Sequence, residues 1–299
     1  MLLPAAAFTQ GRPQSGKLPP GSEFIQPGDA PSWPELKKAY DVPSKDPEVK
    51  EEDRKSLSAL SIHIILTGPR GEKVPGGFLR PKAEGQYPAI LLLHGLTSDK
   101  DAMLKSYGIS LVQHGFAVLA LDAPFHGERK SKDPDISAAD TGNFAEAVRE
   151  GTREYRKALD WLCARKDIDA HRIGALGYSM GAMMTVILAA VDDRVSDTVL
   201  CVGGDPIISF APNIPEGKRD AMYSICPTLF ADHISPRRVL MLNARIDDVM
   251  PATAALRLYD AFKQPKLLEW YDTNHILPAA ALNRAVGWLT DKLNPAPVN

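Results

Sequence analysis

A five-residue G-x-S-x-G motif, running from Gly177 to Gly181, constrains this chain more than any other feature. The mostly apolar run 172–176 precedes it and predicts a buried strand, while a run of good helix formers, 182–190, follows it. Between a strand and a helix, such a motif forms a turn so tight that glycine is needed on either side of the serine. The turn would expose Ser179 above the sheet as a nucleophile.

Short apolar runs alternate with helical segments along much of the remaining chain. Strands are predicted at 61–66, 74–80, 89–93, 117–121, 198–202, 239–242 and 266–271, and helices near 103–114 and 143–165. The first two strands flank a Gly-Pro-Arg-Gly turn and should form an antiparallel pair. The alternation predicts an α/β fold with a mainly parallel central sheet and helices on both faces. Ligands in such sheets bind at the carboxyl ends of the strands.

The first 60 residues differ in composition from the rest of the chain. Nine of the 25 prolines lie in the first 50 residues, which predicts an extended arm with a short helix at 34–40. Regular structure should begin near Ser61, so 61–299 is predicted to be one catalytic domain. Residues 1–10 are apolar with small side chains, like the end of a secretory signal peptide, but lack a basic segment. As the remnant of a signal peptide, they favour a secreted or periplasmic protein. If they are not such a remnant, a cytoplasmic protein is expected.

Composition argues against several classes of partner. The formal net charge is −2 and no long basic cluster occurs, so no nucleic-acid or anionic membrane surface is expected as a partner. No apolar stretch reaches the roughly 18 residues of a membrane span. The three cysteines, an odd number without C-x-x-C spacing, argue against a disulfide framework or a cysteine-rich zinc site. They should be buried free thiols.

A nucleophilic serine requires a base, and the base requires an orienting acid. In this type of fold the chain order is serine, acid, histidine. After Ser179 the sequence contains two histidines, His233 and His275. His275 directly follows the last predicted strand, whereas His233 precedes a strand at its amino end. We therefore predict His275 as the base.

The acid should come from the loop after the strand 239–242. This loop carries adjacent carboxylates, Asp247 and Asp248. Asp247 is nearer to the strand and is the preferred acid. Asp248 is interpreted as solvated or as capping the turn before the next helix.

The tetrahedral intermediate also requires two backbone N–H donors. Met180, which follows the serine at the helix N-terminus, should supply one of them. Leu96, in the loop after the strand 89–93, should supply the other, with His94 supporting that loop. Asp122 and His126 follow the next strand; a metal site is possible in principle, but without a second ligand cluster a hydrogen-bonded loop scaffold is favoured.

Five segments together resemble the α/β-hydrolase fold over residues 60–292: H-G-L at 94–96, D-A-P-F-H-G-E-R at 122–129, G-Y-S-M-G at 177–181, D-D-V-M-P at 247–251 and N-H at 274–275. The nearer resemblance is to its dienelactone hydrolase-like and prolyl oligopeptidase-like esterase branches. It implies Ser179 as nucleophile, His275 as base, Asp247 as acid, Leu96 and Met180 as oxyanion donors, and no cofactor or metal.

Two departures from these branches bear on function. Ser179 stands where the dienelactone hydrolases proper carry a cysteine, which argues against dienelactone chemistry. About 60 proline-rich residues cannot form the propeller domain of prolyl oligopeptidases, which argues against their restrictive gate. The segment 207–235 is a small insertion, either a cap over the acyl pocket or a plain crossover.

The leading interpretation is hydrolysis of a small-molecule carboxylic ester, with a small to medium acyl group, through an acyl-enzyme. A serine aminopeptidase or a thioesterase could use the same residues. An alternative of a different class is a protein of this fold that binds a ligand without turnover. Such proteins usually lack a member of the triad, and no member of the predicted triad is missing here. The sequence leaves the oligomeric state open.

Overall fold

The structure is a computed structural model, which describes residues 27–43, 46–56, 58–133, 136–208 and 215–293. The strands are β1 Val49–Arg54, β2 Leu60–Thr67, β3 Lys73–Arg80, β4 Tyr87–Leu93, β5 Ala117–Leu121, β6 Ile168–Tyr178, β7 Val195–Cys201, β8 Arg238–Ala244 and β9 Lys266–Tyr271. The helices are α1 Trp33–Lys38, α2 Lys100–Met103, α3 Ile109–Gln113, α4 Thr141–Ala164, α5 Met180–Val191, α6 Glu216–Tyr223, α7 Ala252–Ala261 and α8 Ala279–Leu293. A wider π-helical turn, Leu104–Gly108, joins α2 to α3.

The described strands form one mixed sheet in the order β1-β2-β3-β5-β4-β6-β7-β8-β9. The first three strands pair antiparallel, as do β3 and β5, and from β5 to β9 every neighbouring pair is parallel. The expected pair of strands 61–66 and 74–80 is present, with Ile62 opposite Phe78. The predicted α/β fold with a mainly parallel sheet is confirmed.

The sheet begins earlier than the sequence predicted. Strand β1 pairs antiparallel with β2, with Val49 opposite Leu66 and Arg54 opposite Ser61. The expectation that regular structure starts near Ser61 was therefore wrong, since part of the proposed arm 1–60 belongs to the sheet. The sequence of β1, V-K-E-E-D-R, is mostly charged because the strand lies at an edge and exposes nearly all its side chains.

Helices cover both faces of the sheet, and alternate residues of the central strands face opposite sides. Leu91 and Leu93 of β4 belong to a hydrophobic cluster with residues of α4, α5 and α7. Ile90 and Leu92 belong to a second cluster with residues of α3 and α8. Each such buried aliphatic side chain contributes roughly 1.5–3 kcal/mol. This two-sided burial explains why the strand reads as a continuous apolar run.

The segment 207–235 packs against the proposed N-terminal arm. Tyr40 donates a hydrogen bond from its hydroxyl to the carbonyl of Ser224, and its ring meets Phe230 edge to face. Asp29 accepts hydrogen bonds from Arg219 and Tyr223 in α6. The described residues of this segment therefore tie α6 to the region around α1; residues 209–214 lie outside the description.

Residues 1–26 also lie outside the described part of the chain, including the apolar start 1–10 on which the secreted or periplasmic expectation rests. Within the described ranges, no helix combines the length and apolarity that crossing a bilayer requires. Cys201 and Cys226 are buried and Cys163 is half-buried, and all three are free thiols.

Candidate active site

Ser179 occupies a strained turn between β6 and α5. Its backbone has φ 54° and ψ −114°, a combination that non-glycine residues rarely adopt. An ideal Cβ at Gly177 would overlap the carbonyl oxygen of Gly181, and one at Gly181 would overlap that of Leu93. Both glycines are therefore needed for the backbone to pass this closely, as the tight-turn interpretation requires.

Ser179, His275 and Asp247 form a continuous hydrogen-bonded chain at the carboxyl ends of β6, β8 and β9. The serine Oγ lies 2.9 Å from His275 Nε2. On the other side of the ring, Nδ1 lies 2.9 Å and 2.8 Å from the two carboxylate oxygens of Asp247. With the proton on Nδ1, the ring donates to Asp247 and its Nε2 can accept the serine proton.

The backbone of its own loop fixes Asp247. Its Oδ1 accepts hydrogen bonds from the N–H groups of Val249 at 2.9 Å and Met250 at 2.8 Å. The Asp247 carboxylate is fully buried beside a quarter-exposed His275 ring. Asp248 is exposed, so the structure brings the first of the two adjacent carboxylates to the histidine.

The second candidate histidine lies elsewhere. His233 stacks against Trp33 with ring centroids 3.6 Å apart, ahead of the amino end of β8. It forms an ion-pair contact with Asp232. Its role is therefore in the packing of the segment around α1.

The two predicted oxyanion donors flank the serine. Met180 is the first residue of α5, so its N–H has no carbonyl partner within the helix and lies at the positive end of the helix dipole. Leu96 and Ser179 line the same cavity. An ideal Cβ on Gly95 would lie 3.5 Å from the Ser179 Cβ, so this loop passes directly beside Ser179.

Two buried histidines hold the loop that carries Leu96. His94 Nδ1 lies 2.9 Å from the carbonyl oxygen of Gly95, and its Nε2 accepts the Ala123 N–H at 3.0 Å. Burial lowers the pKa of His94 to about 4, which agrees with the neutral ring that these contacts require. The expected support of the loop by His94 therefore has a structural basis.

His126 contacts the same loop from the other direction. Its Nε2 lies 2.7 Å from the carbonyl oxygen of Leu96, and its Nδ1 lies 2.7 Å from that of Pro124. Because carbonyl oxygens only accept, both contacts are hydrogen bonds only when the ring carries two protons. With a proton on Nε2, the ring anchors the Leu96 carbonyl, which belongs to the peptide unit directly after the Gly95–Leu96 peptide that carries the proposed oxyanion N–H.

Asp122 forms a buried ion pair that the sequence analysis missed. Its Oδ2 lies 3.0 Å from Lys100 Nζ, and both side chains are almost fully buried. Asp122 also accepts the backbone N–H groups of Lys100 and Glu128. This arrangement is a hydrogen-bonded scaffold, and the described residues contain no group of three or more His, Cys, Asp or Glu side chains arranged to hold a metal ion.

Tyr178, immediately before Ser179, holds the loop that carries His275. Its hydroxyl donates to the carbonyl of His275 at 2.6 Å and accepts the Leu277 N–H at 3.1 Å. Burial raises the pKa of Tyr178 to about 12, so its hydroxyl stays protonated near neutral pH. Sequence reasoning treated Tyr178 only as part of the turn, because nothing in the local pattern indicates a contact so far along the chain.

A cavity of about 500 Å³ opens beside Ser179 and His275. No residue of 215–235 lines it, nor do Ile207 and Ile208. For the described residues of the insertion, which leave out 209–214, this favours a crossover over a cap on the acyl pocket.

Comparison with known proteins agrees with this architecture. Acetyl xylan esterase 1 from Thermoanaerobacterium sp. JW/SL YS485 superposes with a TM-score of 0.68 at 19% identity, covering 86% of this chain and 92% of that one. This likeness shows the α/β-hydrolase fold.

Sequence comparison is more specific. Esterase YjfP of Escherichia coli (strain K12) is 28% identical, covering 80% of this chain and 98% of its own length. The YtaP protein of Bacillus subtilis (strain 168) is 30% identical, covering 68% of this chain and 73% of its own. A sequence model of the dienelactone hydrolase family matches residues 74–267. The chain therefore belongs to the dienelactone hydrolase family.

Proposed function

We propose that this chain is a serine carboxylesterase that hydrolyses small-molecule esters, with Ser179 as nucleophile, His275 as base and Asp247 as orienting acid. The observation that carries the proposal is the unbroken chain of contacts from Ser179 Oγ through the His275 ring to the Asp247 carboxylate, each at 2.8–2.9 Å. A nucleophile and its base within hydrogen-bond reach, with the base oriented by a third group, is the arrangement that acyl transfer requires.

In the first half-reaction, Ser179 Oγ attacks the ester carbonyl while His275 Nε2 takes its proton. The buried Asp247 carboxylate stabilises the resulting imidazolium and keeps the ring in the correct orientation. Negative charge on the former carbonyl oxygen is stabilised by the N–H groups of Leu96 and Met180. When the intermediate collapses, His275 gives its proton to the departing alcohol, leaving an acyl group on Ser179.

In the second half-reaction, water replaces the alcohol. His275 Nε2 takes a proton from water while the water oxygen attacks the acyl carbon. The same oxyanion donors stabilise the second tetrahedral intermediate. Collapse returns the proton to Ser179 Oγ and releases the carboxylic acid.

The relatives favour esters over amides and thioesters as substrates. Among them is the Escherichia coli protein named as an esterase, which this chain matches over nearly all of that protein's length. Because the proposed nucleophile is a serine, we propose ester hydrolysis and not the cysteine-dependent chemistry of the dienelactone hydrolases proper.

Steady-state hydrolysis of p-nitrophenyl butyrate by wild type and Ser179→Ala tests the proposal. We expect wild-type turnover and a loss of at least about 10³-fold in kcat/KM for the variant, because the covalent route is removed. Aminoacyl p-nitroanilides and an acyl thioester serve as parallel substrates. Turnover of either in place of the ester would replace the esterase with an amide or thioester hydrolase, and an unchanged Ser179→Ala rate would contradict the assignment of the nucleophile.

A further inference from the structure

The cavity beside Ser179 has mainly apolar walls. Its apolar lining includes Met103 and Tyr107 from α2 and the π-helical turn, and Leu277 and Leu282 from α8 and the loop before it. Its volume of about 500 Å³ is large for an acetyl group and falls in the range of cavities that bind small organic ligands. An occupant of this cavity would therefore be an apolar group of several carbons.

The apolar lining continues outward onto the loops that carry the acid and the histidine. Val249 is 61% exposed and Ile276 is 74% exposed, and both line the cavity. Ile246 is 66% exposed on the same loop as Val249 but is not part of the cavity lining. When an apolar ligand covers aliphatic side chains that are exposed to water, the burial of apolar surface stabilises the complex.

A second groove, of about 660 Å³, shares the loop segment 96–98 with the first cavity and is otherwise lined by different residues. Its lining is more polar than that of the first cavity and includes Asp99, Asp101 and Lys130. Because the two grooves meet at the loop 96–98 beside Ser179, the two halves of an ester would meet an apolar environment in the first and a more polar one in the second. A hydrophobic chain is stabilised in the first, and a hydroxylated or charged group keeps its hydrogen bonds in the second.

We propose that the apolar cavity, extended by Val249 and Ile276, binds the acyl chain, so that the preferred substrates are medium-chain acyl esters of polar alcohols. The inference rests on the proposed esterase function and deepens it. The acyl chain stays bonded to Ser179 through both half-reactions, whereas the alcohol leaves after the first. Contacts between the chain and these two side chains therefore favour formation of the acyl-enzyme from long substrates over short ones.

The ratio of kcat/KM for p-nitrophenyl octanoate to that for p-nitrophenyl acetate tests the proposal. We expect a wild-type ratio of at least about ten, and a fall of about fivefold or more in Val249→Ser and Ile276→Ser, because each change removes apolar contact area. Ile246→Ser is the matched control and should keep the wild-type ratio. Ile276→Leu should also retain most of the preference, since it preserves the apolar surface.

Three results would overturn the proposal. The first is a wild-type preference for acetate, and the second is an equal loss in Ile246→Ser. The third is an effect of Ile276→Ser that follows alcohol length in a series of alkyl acetates instead of acyl length. In each case, acetate hydrolysis that disappears in Ser179→Ala would leave the proposed esterase function standing. Failure of that function would appear separately, as absence of Ser179-dependent hydrolysis of any ester.

Discussion

The loops on the two sides of Ser179 are held in different ways. On the oxyanion side, comprising loops 94–99 and 122–129, buried charged and polar side chains bind the backbone, with Asp122 and Lys100 at most 1% exposed. On the histidine side, comprising loops 245–251 and 272–278, backbone N–H groups and the Tyr178 hydroxyl make the main contacts. That side leaves Val249 and Ile276 in solvent.

The difference indicates that the oxyanion side provides rigidity and that the histidine side provides substrate selectivity. Oxyanion donors act through preorganisation, so the loop that positions Leu96 benefits from buried contacts that are unfavourable to break. The histidine side must keep one ring in place while its apolar side chains remain free to contact substrate. We therefore expect substitutions on the oxyanion side to affect stability and kcat, and exposed substitutions on the histidine side to affect substrate preference.

Asp122→Ala should give the largest effect, because Lys100 loses its buried carboxylate partner and keeps Glu128, which lies 2.7 Å away but is 43% exposed. Breaking a buried pair typically costs about 3–5 kcal/mol of unfolding free energy, and the remaining Glu128 contact should keep the loss near the lower end of that range. Asp101 also contacts Lys100, at 3.2 Å, but its side chain is 59% exposed. Asp101→Ala should therefore change stability by less than about 1 kcal/mol. Urea denaturation of both variants checks the comparison, and equal losses would contradict it.

The oxyanion side should also give stability a pH dependence through Glu154. This buried carboxylate lies 2.7 Å from Arg129, which in turn donates to the carbonyl of Asp122. Burial outweighs the attraction of Arg129 and raises the pKa of Glu154 to about 8, from an ordinary value of 4.5. A raised folded-state pKa gives stability that is fully present below pH 4.5 and is lost as pH rises toward about 8.

We therefore expect the wild-type free energy of unfolding to fall between pH 5 and pH 8 by about 2–4 kcal/mol. Glu154→Gln should remove most of that fall, because its amide does not ionise. Glu146→Gln, at a less buried position of the same helix, should retain it. Denaturation curves at the two pH values are the measurement, and a fall of equal size in Glu154→Gln would assign the dependence to other groups.

His126→Ala should lower kcat by about 10–100-fold with KM changed less than about threefold, since the Leu96 carbonyl loses its anchor and the adjoining peptide, which carries the oxyanion N–H, loses its alignment. The matched control is His114→Ala, at an exposed ring that contacts only its own helix carbonyl at Ser110. Thermal denaturation establishes that the variants are folded. A rise in KM at constant kcat would indicate a role in substrate binding instead.

Tyr178→Phe should have the smallest effect, a loss of about 3–10-fold in kcat, because the histidine loop loses two hydrogen bonds while the Asp247 contacts remain. Tyr87→Phe is the matched control, since its hydroxyl donates to the Ala83 carbonyl away from the site. Kinetics of both variants with one ester provides the comparison. An equal effect of the two changes would show that Tyr178 does not position His275.

Much of the sheet could be predicted because its central strands are buried on both faces. Strand β5, whose residues are all buried, has the bounds that its apolar run indicates, 117–121. Strand β1 escaped prediction because its charged side chains are exposed and its conformation depends on pairing with β2. Hydrophobic periodicity indicates buried residues, and a charged edge strand such as β1 has few of them.

The candidate site also contains residues that could be predicted from the sequence and residues that could not. Ser179 and His275 were identified because chain order and strand ends limit the choice, and the loop position favoured Asp247 over its neighbour. Lysine is rarely buried, so its sequence gave no reason to place Lys100 inside the protein. Its partner Asp122 lies directly after β5, whereas Lys100 begins α2, and only the folded chain brings the two together.

Labelling with an active-site fluorophosphonate, followed by mass spectrometry, tests the central claim most directly. The probe phosphonylates a serine that a base has activated, with release of fluoride. We expect one adduct per chain on Ser179, none in Ser179→Ala, and labelling at least about 100-fold slower in His275→Ala, since the base is absent. A folded wild-type chain that remains unlabelled, or that is labelled equally fast without His275, would contradict the account.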